Sequence, residues 1–329
     1  MTNAVRAAIA GFGAHVPTKV LSNADLEKMI DTNDEWIIQR TGISERRIAG
    51  EGESTSSMAI DAARKACENA GMAPADVDLI IVATMSPEML VPSTACFVQQ
   101  GLGAGKAAAF DISAACSGFI YALTVARRMI ETGQVGNALV IGAETLSRFT
   151  DYTDRGSCIL FGDGAGAVLL KATQGEEGVL YTTLHSDGSG WDLIHIPAGG
   201  SRQPSSHATV DDRLHYLKMR GREVYKFAIE KMQWLLDDCM KACHLGVDDV
   251  TMVVPHQVNI RIIESATQKL GFPLDKVFVN IEKYGNTSAA SIPIALEEAV
   301  RAGKIGKGST IILVGFGAGL TWAGAVVKL

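Results

Sequence analysis

Short apolar runs alternate along the chain with segments in which apolar residues recur at helical spacing. The runs "DLIIVAT", "AAAFDI", "TMVVPH" and "KVFVNI" predict buried strands, whereas "SGFIYALTVARRMIETG" predicts an amphipathic helix. Strands that alternate with helices predict βα units and a largely parallel sheet. Ligands of such sheets bind beyond the carboxyl ends of the strands, so polar residues that follow a strand are candidate site residues.

The pattern repeats itself in the second half of the chain. The turns "ETGQVG" and "RAGKIG" match at an offset of 170 residues, which also pairs Cys116 with Asn286, whereas His256 pairs with Ala83 at an offset of 173. We therefore predict two related halves, residues 1–172 carrying the cysteine and residues 173–329 carrying the histidine and asparagine. If the halves pack about a pseudo-twofold axis, Cys116, His256 and Asn286 each follow a strand and meet at one interface. The alternative is chance resemblance between βα units.

The stretch "FDISAACSGF" places Cys116 where a strand gives way to a helix. Small residues at Ala114 and Gly118 allow the sharp turn of a nucleophile elbow, with Cys in place of Ser. The N-terminus of the following helix is expected to favour the thiolate. The alternative is a small apolar side chain buried at a strand–helix junction.

Composition excludes several classes of protein. The net charge of −6 and the pI near 5.7 argue against nucleic-acid binding through global charge. The opening "MTNAVRAAIAGFGAHVP" predicts a strand rather than a signal peptide, and no run approaches the roughly 18 apolar residues of a membrane span. Six cysteines without a secretory signal predict reduced thiols and a cytoplasmic protein.

Two local patterns invite a cofactor or metal and fall short of one. The glycine clusters "GFGAHV" and "GLGAGKA" lack positions of the dinucleotide and phosphate-loop fingerprints, so we expect no cofactor. Cys239, Cys243 and His244 lie in a helical pattern without a second ligand pair, so we expect core packing and no metal.

The longer motifs resemble one enzyme family. "DISAACSGF", "PHQVNIRII", "YGNTSAASIP", "GFGAGLTW", "TNDEWIIQRTGISERR" and "TDRGSCILFGDGAGA" occur in the order found in β-ketoacyl-acyl-carrier-protein synthase III, of the thiolase superfamily. The resemblance implies a five-layered αβαβα fold, a homodimer and a Cys–His–Asn triad. The implied reaction condenses an acyl-CoA starter with malonyl-acyl-carrier-protein and opens type II fatty-acid synthesis.

The chemistry of these residue types suits that reaction. A Cys116 thiolate can attack a thioester, and the resemblance assigns the oxyanion hole to the backbone N–H groups of Cys116 and Ala318. His256 Nε2 and the Asn286 amide can both donate to the malonyl carbonyl oxygen as carbon dioxide leaves. The alternative for His256 is a satisfied core histidine, and for Asn286 a helix N-cap.

The resemblance also implies binding residues. Trp36 and Arg155 match positions that sandwich the CoA adenine, with further CoA contacts from Thr32, Arg40, Gly221 and Asn259. Lys226 and Arg261 match basic positions that face the acidic carrier protein. The alternatives are an amphipathic helix anchored by Trp36 and ordinary solvated charges.

Several residues depart from the family pattern. Val258, Arg222, Tyr225 and Gln268 replace the residues usual in relatives, and Gln268 leaves a smaller basic patch. Val91 occupies an acyl-pocket position where acetyl-selective members have Phe. The smaller side chain leads us to expect that longer or branched starters are accepted.

Other functions remain open at this stage. A chalcone-synthase-like or quinolone-pathway condensing enzyme would use the same triad with malonyl-CoA. A thiolase would want a second cysteine near "GFGAG", and a hydroxymethylglutaryl-CoA synthase would want a catalytic Glu that no motif supplies. The last alternative is a non-catalytic acyl-CoA-binding protein.

Overall fold

The structure, a computed structural model, describes residues 5–329. Its strands are β1 (Arg6–His15), β2 (Val20–Ser22), β3 (Glu45–Arg47), β4 (Leu79–Ala83), β5 (Ala108–Ile112), β6 (Asn137–Thr145), β7 (Asp163–Thr173), β8 (Gly178–Ser186), β9 (Ile194–His195), β10 (Lys218–Met219), β11 (Met252–Pro255), β12 (Thr310–Gly317) and β13 (Thr321–Lys328). Its helices are α1 (Asn23–Glu27), α2 (Asp34–Thr41), α3 (Thr55–Asn69), α4 (Thr94–Leu102), α5 (Gly118–Glu131), α6 (His207–Asp211), α7 (Gly221–Ala242), α8 (Ile260–Lys269), α9 (Ile281–Tyr284) and α10 (Ser291–Arg301).

Two sheets of matching topology organise the described chain. The first has the order β1-β7-β6-β4-β5 and the second the order β8-β13-β12-β11. In each, the strand before the central helix (β4 or β11) runs parallel to the strand after it (β6 or β12), and the next two strands add antiparallel. Each sheet is therefore mixed, and the prediction of largely parallel sheets is wrong. The reason is that β12 returns directly into β13 through the short turn 318–320, a connection available only to antiparallel strands.

Helices cover both faces of each sheet and give five layers. The helices α5 and α10 share one apolar core with the inner faces of both sheets. The helices α3 and α4 pack on the outer face of the first sheet, and α7 and α8 on the outer face of the second. Close packing of α3 on β1 explains Gly11 and Gly13, because a Cβ at either position would lie 2.2 Å or less from a carbonyl oxygen of α3.

The second half lacks the strand predicted from "KVFVNI". Only Val277 of this run forms an isolated bridge with Val253, and the chain enters α9 at Ile281. Asn286 consequently follows a short helix rather than a strand.

The internal repeat has a different register from the ungapped one that the sequence suggested. Short helical turns at Ala115–Ser117 and Ser288–Ala290 precede α5 and α10, and the positive φ angles of Ala115 (46°) and Ser288 (47°) mark equivalent positions. This offset is 173 residues, the same as between β4 and β11, so the counterpart of Cys116 is Ala289 rather than Asn286. The offset of 170 holds only at the helix ends, at Gly133 and Gly303, because α10 is shorter than α5.

None of the helices described between residues 5 and 329 has the length and apolar composition of a membrane span. Cys239 is buried in the core between α7 and the second sheet, and Cys243 packs against the same cluster, as predicted. Within these residues no group of three or more His, Cys, Asp and Glu side chains is arranged to hold a metal ion.

Candidate active site

Cys116 lies in the turn between β5 and α5, as the nucleophile-elbow pattern predicts. Ala115 adopts a left-handed φ of 46°, which turns the chain sharply just before the cysteine. The opposite side of the turn is closed by β12, where a Cβ on Gly317 would lie 2.9 Å from Cys116 N and 3.2 Å from its Sγ. Only glycine at this position leaves the thiol in place.

Burial dominates the ionisation of this thiol. It raises the pKa of Cys116 to about 12, and the charge of Glu144 adds to the rise, while hydrogen bonding from Ser288 opposes it. The expectation of a resting thiolate at the helix N-terminus is therefore wrong. The thiol carries its proton at neutral pH and must lose it as it attacks.

His256 follows β11 directly and has no exposed surface. Its Nδ1 lies 2.7 Å from Ser291 Oγ, whereas its buried Nε2 has no hydrogen-bond partner among the described residues. Burial lowers the pKa of His256 to about 3, so the ring is neutral at working pH. When the Ser291 hydroxyl donates to Nδ1, the proton of the neutral ring lies on Nε2, which can then donate to a ligand.

Asn286 is held by its backbone and by one atom of its amide. Its N donates to Leu160 O at 2.8 Å, its O accepts from Gly162 N at 3.1 Å, and its Oδ1 accepts from Ser288 N at 2.8 Å. The capping role considered as the alternative is thus real. Since Oδ1 caps the turn, the Nδ2 donor remains for a ligand; it makes no hydrogen bond within the described part of the chain.

Two backbone amides beside Cys116 are also without partners. Neither the N–H of Cys116 nor that of Ala318 donates to another residue between 5 and 329. The two turns that carry them are joined through Thr321, whose Oγ1 accepts from Ser117 Oγ at 2.8 Å and lies 3.0 Å from both Ala114 O and Ala318 O. Unpaired N–H groups fixed in this way can bind an oxyanion.

One cavity joins these groups. It encloses about 800 Å³ of empty space, including the part open to solvent, and both predicted CoA-contact residues Gly221 and Asn259 line it. Cys116, His256, Asn286 and Ala318 line it together, as the predicted triad requires. Its apolar wall, which the sequence did not predict, includes Met85, Leu146, Phe161, Ile194, Leu217 and Met219.

The predicted adenine pair lies at the surface. The Arg155 guanidinium stacks over the Trp36 ring at 4.4 Å from its centroid, and Arg40 lies 5.5 Å from the same ring. Thr32 Oγ1 is buried and has no partner among the described residues. Asn259 links this region to the cavity, since its Nδ2 donates to Arg40 O at 2.8 Å while its Oδ1 caps α8.

Val91 lies outside the cavity, contrary to its expected place in the acyl pocket of the same chain. It belongs to the loop between β4 and α4, which projects from the surface, and it is 82% exposed. The predicted carrier-facing residues Lys226 and Arg261 are exposed on α7 and α8, where Arg261 lies 6.0 Å from the Tyr225 ring. Within the described chain neither cation forms a salt bridge, and neither does Arg222.

Sequence reasoning missed three polar residues around the triad. Ser291 fixes the ring of His256, Ser288 lines the cavity beside Cys116, and Glu144 is fully buried behind them. Serine and a lone glutamate at a strand end carry no pattern of their own, so only the fold reveals their places.

Known proteins match this chain over its length. Residues 110–188 match the family described as 3-Oxoacyl-[acyl-carrier-protein (ACP)] synthase III, and residues 240–329 match its C terminal. Beta-ketoacyl-[acyl-carrier-protein] synthase III of Caldanaerobacter subterraneus subsp. tengcongensis is 52% identical over 328 residues, covering 100% of this chain and 99% of that protein.

Two solved structures superpose closely. 3-Oxoacyl-[acyl-carrier-protein] synthase III from Aquifex aeolicus is 46% identical with a TM-score of 0.92, covering 98% of this chain and 100% of that chain. The priming β-ketosynthase of a polyketide biosynthetic pathway is 35% identical with a TM-score of 0.90, covering 98% of this chain and 96% of that chain.

The five-layered fold and the cysteine cavity define a condensing enzyme with the thiolase fold. Within that class, the chain belongs to the β-ketoacyl-[acyl-carrier-protein] synthase III family, acyltransferases of fatty-acid biosynthesis. The family, fold and activity predicted from the sequence are thereby confirmed.

Proposed function

We propose that this enzyme condenses an acyl-CoA starter with malonyl-acyl-carrier-protein through an acyl-Cys116 intermediate. The observation that carries the proposal is the single cavity shared by the Cys116 thiol, the unpartnered Nε2 of His256, the Asn286 amide and two free backbone N–H groups. The substrates are those of the family, and acyl-CoA enters as a substrate rather than as a resident cofactor.

In the first half-reaction, Cys116 Sγ attacks the thioester carbonyl. The new S–C bond forms a tetrahedral oxyanion, which the N–H groups of Cys116 and Ala318 stabilise. Collapse of this intermediate breaks the bond to the CoA sulfur and leaves an acyl group on Cys116. The apolar wall around Leu146, Phe161 and Leu217 takes up the acyl chain.

In the second half-reaction, the malonyl thioester loses carbon dioxide and negative charge gathers on its carbonyl oxygen. His256 Nε2 and Asn286 Nδ2 donate hydrogen bonds to that oxygen, and neither group has to change charge. The enolate carbon then attacks the acyl carbonyl and releases the Cys116 sulfur.

The stacked Trp36–Arg155 pair is the proposed adenine site. At 4.4 Å the pair is closed, so the adenine replaces the direct contact by separating the two planes. The free Thr32 hydroxyl and Arg40 provide polar contacts beside it, and Gly221 and Asn259 line the route of the pantetheine to Cys116.

The acidic carrier protein is proposed to bind the cations near the cavity mouth. Arg222 and Lys226 lie on the first turns of α7, next to the cavity-lining Gly221, and Arg261 follows Asn259. We further propose a cytoplasmic homodimer whose protomers each consist of the two halves 1–172 and 173–329. The exposed apolar side chains Leu90 (83%) and Val91 (82%) and the unpaired edge of β5 support such a contact.

Two measurements test the proposal. After incubation with radiolabelled acetyl-CoA, the label should be found on the peptide that contains Cys116, and Cys116→Ala should abolish it. Malonyl-carrier-protein should then release the ketoacyl product from the labelled enzyme. Absence of label would favour a binding protein, whereas product from malonyl-CoA alone would favour the polyketide- or quinolone-type reaction, for which the polyketide relative is the precedent.

A further inference from the structure

Ser288 is an unusual residue for its position. Its backbone has a φ of 47°, a left-handed conformation that non-glycine residues adopt at a cost of about 1–3 kcal/mol. Its hydroxyl is buried and has no partner with full hydrogen-bond geometry among the described residues, although Ser288 lines the cavity with Cys116. A strained backbone that holds an unpaired hydroxyl beside a nucleophile calls for a functional explanation.

Glu144 lies behind Ser288. Its side chain is fully buried and outside the cavity lining, and it accepts from Thr84 Oγ1, the backbone N of Met85, and the N and Oγ of Ser86. Gly142 lies two positions earlier on β6, and a Cβ there would be 2.1 Å from Ala289 O. Residues two apart on a strand share a face, so Glu144 faces the turn that carries Ser288.

Ser288 interacts with both neighbours. Hydrogen bonding from its hydroxyl lowers the pKa of the Cys116 thiol and that of the Glu144 carboxyl. Burial acts in the opposite direction on both and raises the pKa of Glu144 to about 7. A carboxyl with this pKa exists in both forms near neutral pH, as a group that takes and returns a proton must.

His256 is the other titratable group that faces Cys116 across the cavity. Burial lowers its pKa to about 3, and its Nδ1 is occupied by Ser291. A neutral imidazole that serves as a donor through Nε2–H is a poor acceptor for the thiol proton. The groups packed around Glu144 on the β4–α4 loop are uncharged at Thr84, Met85 and Ser86.

We propose that Ser288 and Glu144 form a relay that takes the proton from Cys116 during acylation and returns it during condensation. This inference rests on the proposed role of Cys116 as the nucleophile. As Sγ bonds to the acyl carbon, its proton moves to Ser288 Oγ while the Ser288 proton moves to Glu144. The CoA thiolate leaves and takes a proton from solvent.

The second half-reaction closes the cycle. When the enolate displaces the Cys116 sulfur, the same path runs backwards, and Glu144 returns to the carboxylate while Cys116 regains its proton. The relay thus consumes no net proton. The single proton that the overall condensation requires is the one that CoA takes from solvent.

The test follows the alkylation of Cys116 by iodoacetamide as a function of pH, without substrate. In the native enzyme the rate should rise through an inflection near the Glu144 pKa of about 7. Ser288→Ala, Ser288→Gly and Glu144→Gln should lose this inflection and react at least about 10-fold more slowly at pH 7.5, since the thiol must then ionise unaided. Ser288→Gly matters because glycine adopts the observed φ without strain.

The matched control is Ser147→Ala. Ser147 donates to Asp163, another buried carboxyl on the neighbouring strand β7, and its loss should leave the alkylation profile unchanged. If Glu144→Gln instead accelerates alkylation at neutral pH, Glu144 acts only as a repelling charge and the relay is refuted. Profiles of the Ser288 variants that coincide with the native one would refute it as well.

The readout separates this inference from the proposed function. Failure of the proposed function would appear as acetyl label on a peptide other than that of Cys116. Failure of the relay would appear as normal acetyl label on Cys116 with an unchanged pH profile in the variants.

Discussion

The chemistry of His256 is set by a single hydroxyl. Ser291 Oγ lies 2.7 Å from Nδ1, and its other neighbour, Gln257 N, is a donor at 3.4 Å. The serine proton therefore points to Nδ1, and the imidazole proton is held on Nε2, where the malonyl oxygen is expected. Ser291 is a positioning residue because it acts only through the ring.

Ser291→Ala should therefore slow condensation while sparing acylation. Without the hydroxyl, the ring can adopt the other tautomer, and we expect a loss on the order of 10-fold or more in carbon dioxide release. Acetyl transfer to Cys116, measured as bound label, should change little. Ser201→Ala, on an exposed loop, is the control, and equal losses in both half-reactions would contradict the assignment.

Glu144 should also leave a signature in stability. The upward shift of its pKa from 4.5 to about 7 on folding corresponds to about 3 kcal/mol. Because the folded chain binds more protons between these values, this group's contribution is present below pH 4.5 and is lost as the pH rises through 7. Glu144→Gln should thus gain stability relative to the native enzyme as the pH rises.

Urea unfolding at pH 4.5 and pH 8 measures this difference. The advantage of the Gln variant should be larger at pH 8, and Glu51→Gln, on an exposed turn, should show no such change. The contribution of His256 is common to both proteins and cancels. A constant difference across this range would mean that Glu144 is not buried as a titrating group.

At this scale the sequence revealed residues with a motif and missed those without one. Cys116, His256 and Asn286 were predicted because their neighbours match a family in order. Ser288, Ser291 and Glu144 are brought to the site by the packing of α10 and β6, and nothing in the local sequence distinguishes them from other polar residues.

At the scale of elements, close backbone approach builds the site. Gly315 and Gly317 on β12 admit the Cys116 turn, and Gly142 on β6 admits the equivalent turn at Ala289. Positions 142 and 315 are 173 residues apart, which is the true register of the repeat. Sequence comparison found 170 because the shorter α10 is followed by a longer loop, and the two differences cancel by the start of β12.

Gly317→Ala should therefore abolish acylation with little loss of fold. Its Cβ would press against Cys116 at 2.9 Å from N and Cβ, and would displace the thiol and one oxyanion donor. We expect a loss of at least about 100-fold in acetyl labelling of Cys116. Gly188→Ala, where nothing lies within 4 Å of the new Cβ, should retain full labelling. Near-native labelling of the Gly317 variant would show that the turn has room.

Strand direction was the weakest element prediction. Apolar runs such as "GAGAVLL" in β7 look alike in parallel and antiparallel strands when both faces are buried. The short return from β12 to β13 could have been inferred from "GFGAGLTWAG", where glycines separate two apolar runs. Val277 remained a single bridge because the chain leaves the sheet for α9.

For the whole molecule, the net charge of −6 conceals a local patch of opposite sign. Arg222, Lys226 and Arg261 form no salt bridge within residues 5–329 and lie on the helices that border the cavity. An acidic enzyme can bind an acidic carrier only through such a patch, and the attraction is screened by salt.

Reversing two of these charges tests the patch. Lys226→Glu with Arg261→Glu should raise the KM for malonyl-carrier-protein by about 10-fold at low salt, and the effect should shrink as ionic strength rises. Acetyl labelling from acetyl-CoA should be unchanged. Lys304→Glu, on the loop at the far end of β12 from Cys116, is the control. A KM that stays at the native value in the double variant would place carrier binding elsewhere.

Val91 connects starter choice to assembly. With 82% of its surface exposed, it can bound an acyl pocket only by reaching into a second copy of the chain. If so, Val91→Phe should leave acetyl labelling intact and reduce labelling by six-carbon starters at least about 10-fold, because the larger ring fills space for methylenes worth about 0.8 kcal/mol each. Leu90→Phe, equally exposed in the same loop, is the matched control.

Mixed dimers separate a contribution in trans from one within the chain. A protomer with Cys116→Ala and native Val91 is combined with a protomer that has Cys116 and Val91→Phe. If Val91 acts across the interface, the active pocket keeps a valine and accepts the six-carbon starter. Exclusion of that starter by the mixed dimer would show that Val91 acts within its own chain, and the loop between β4 and α4 would then have to fold inward on binding.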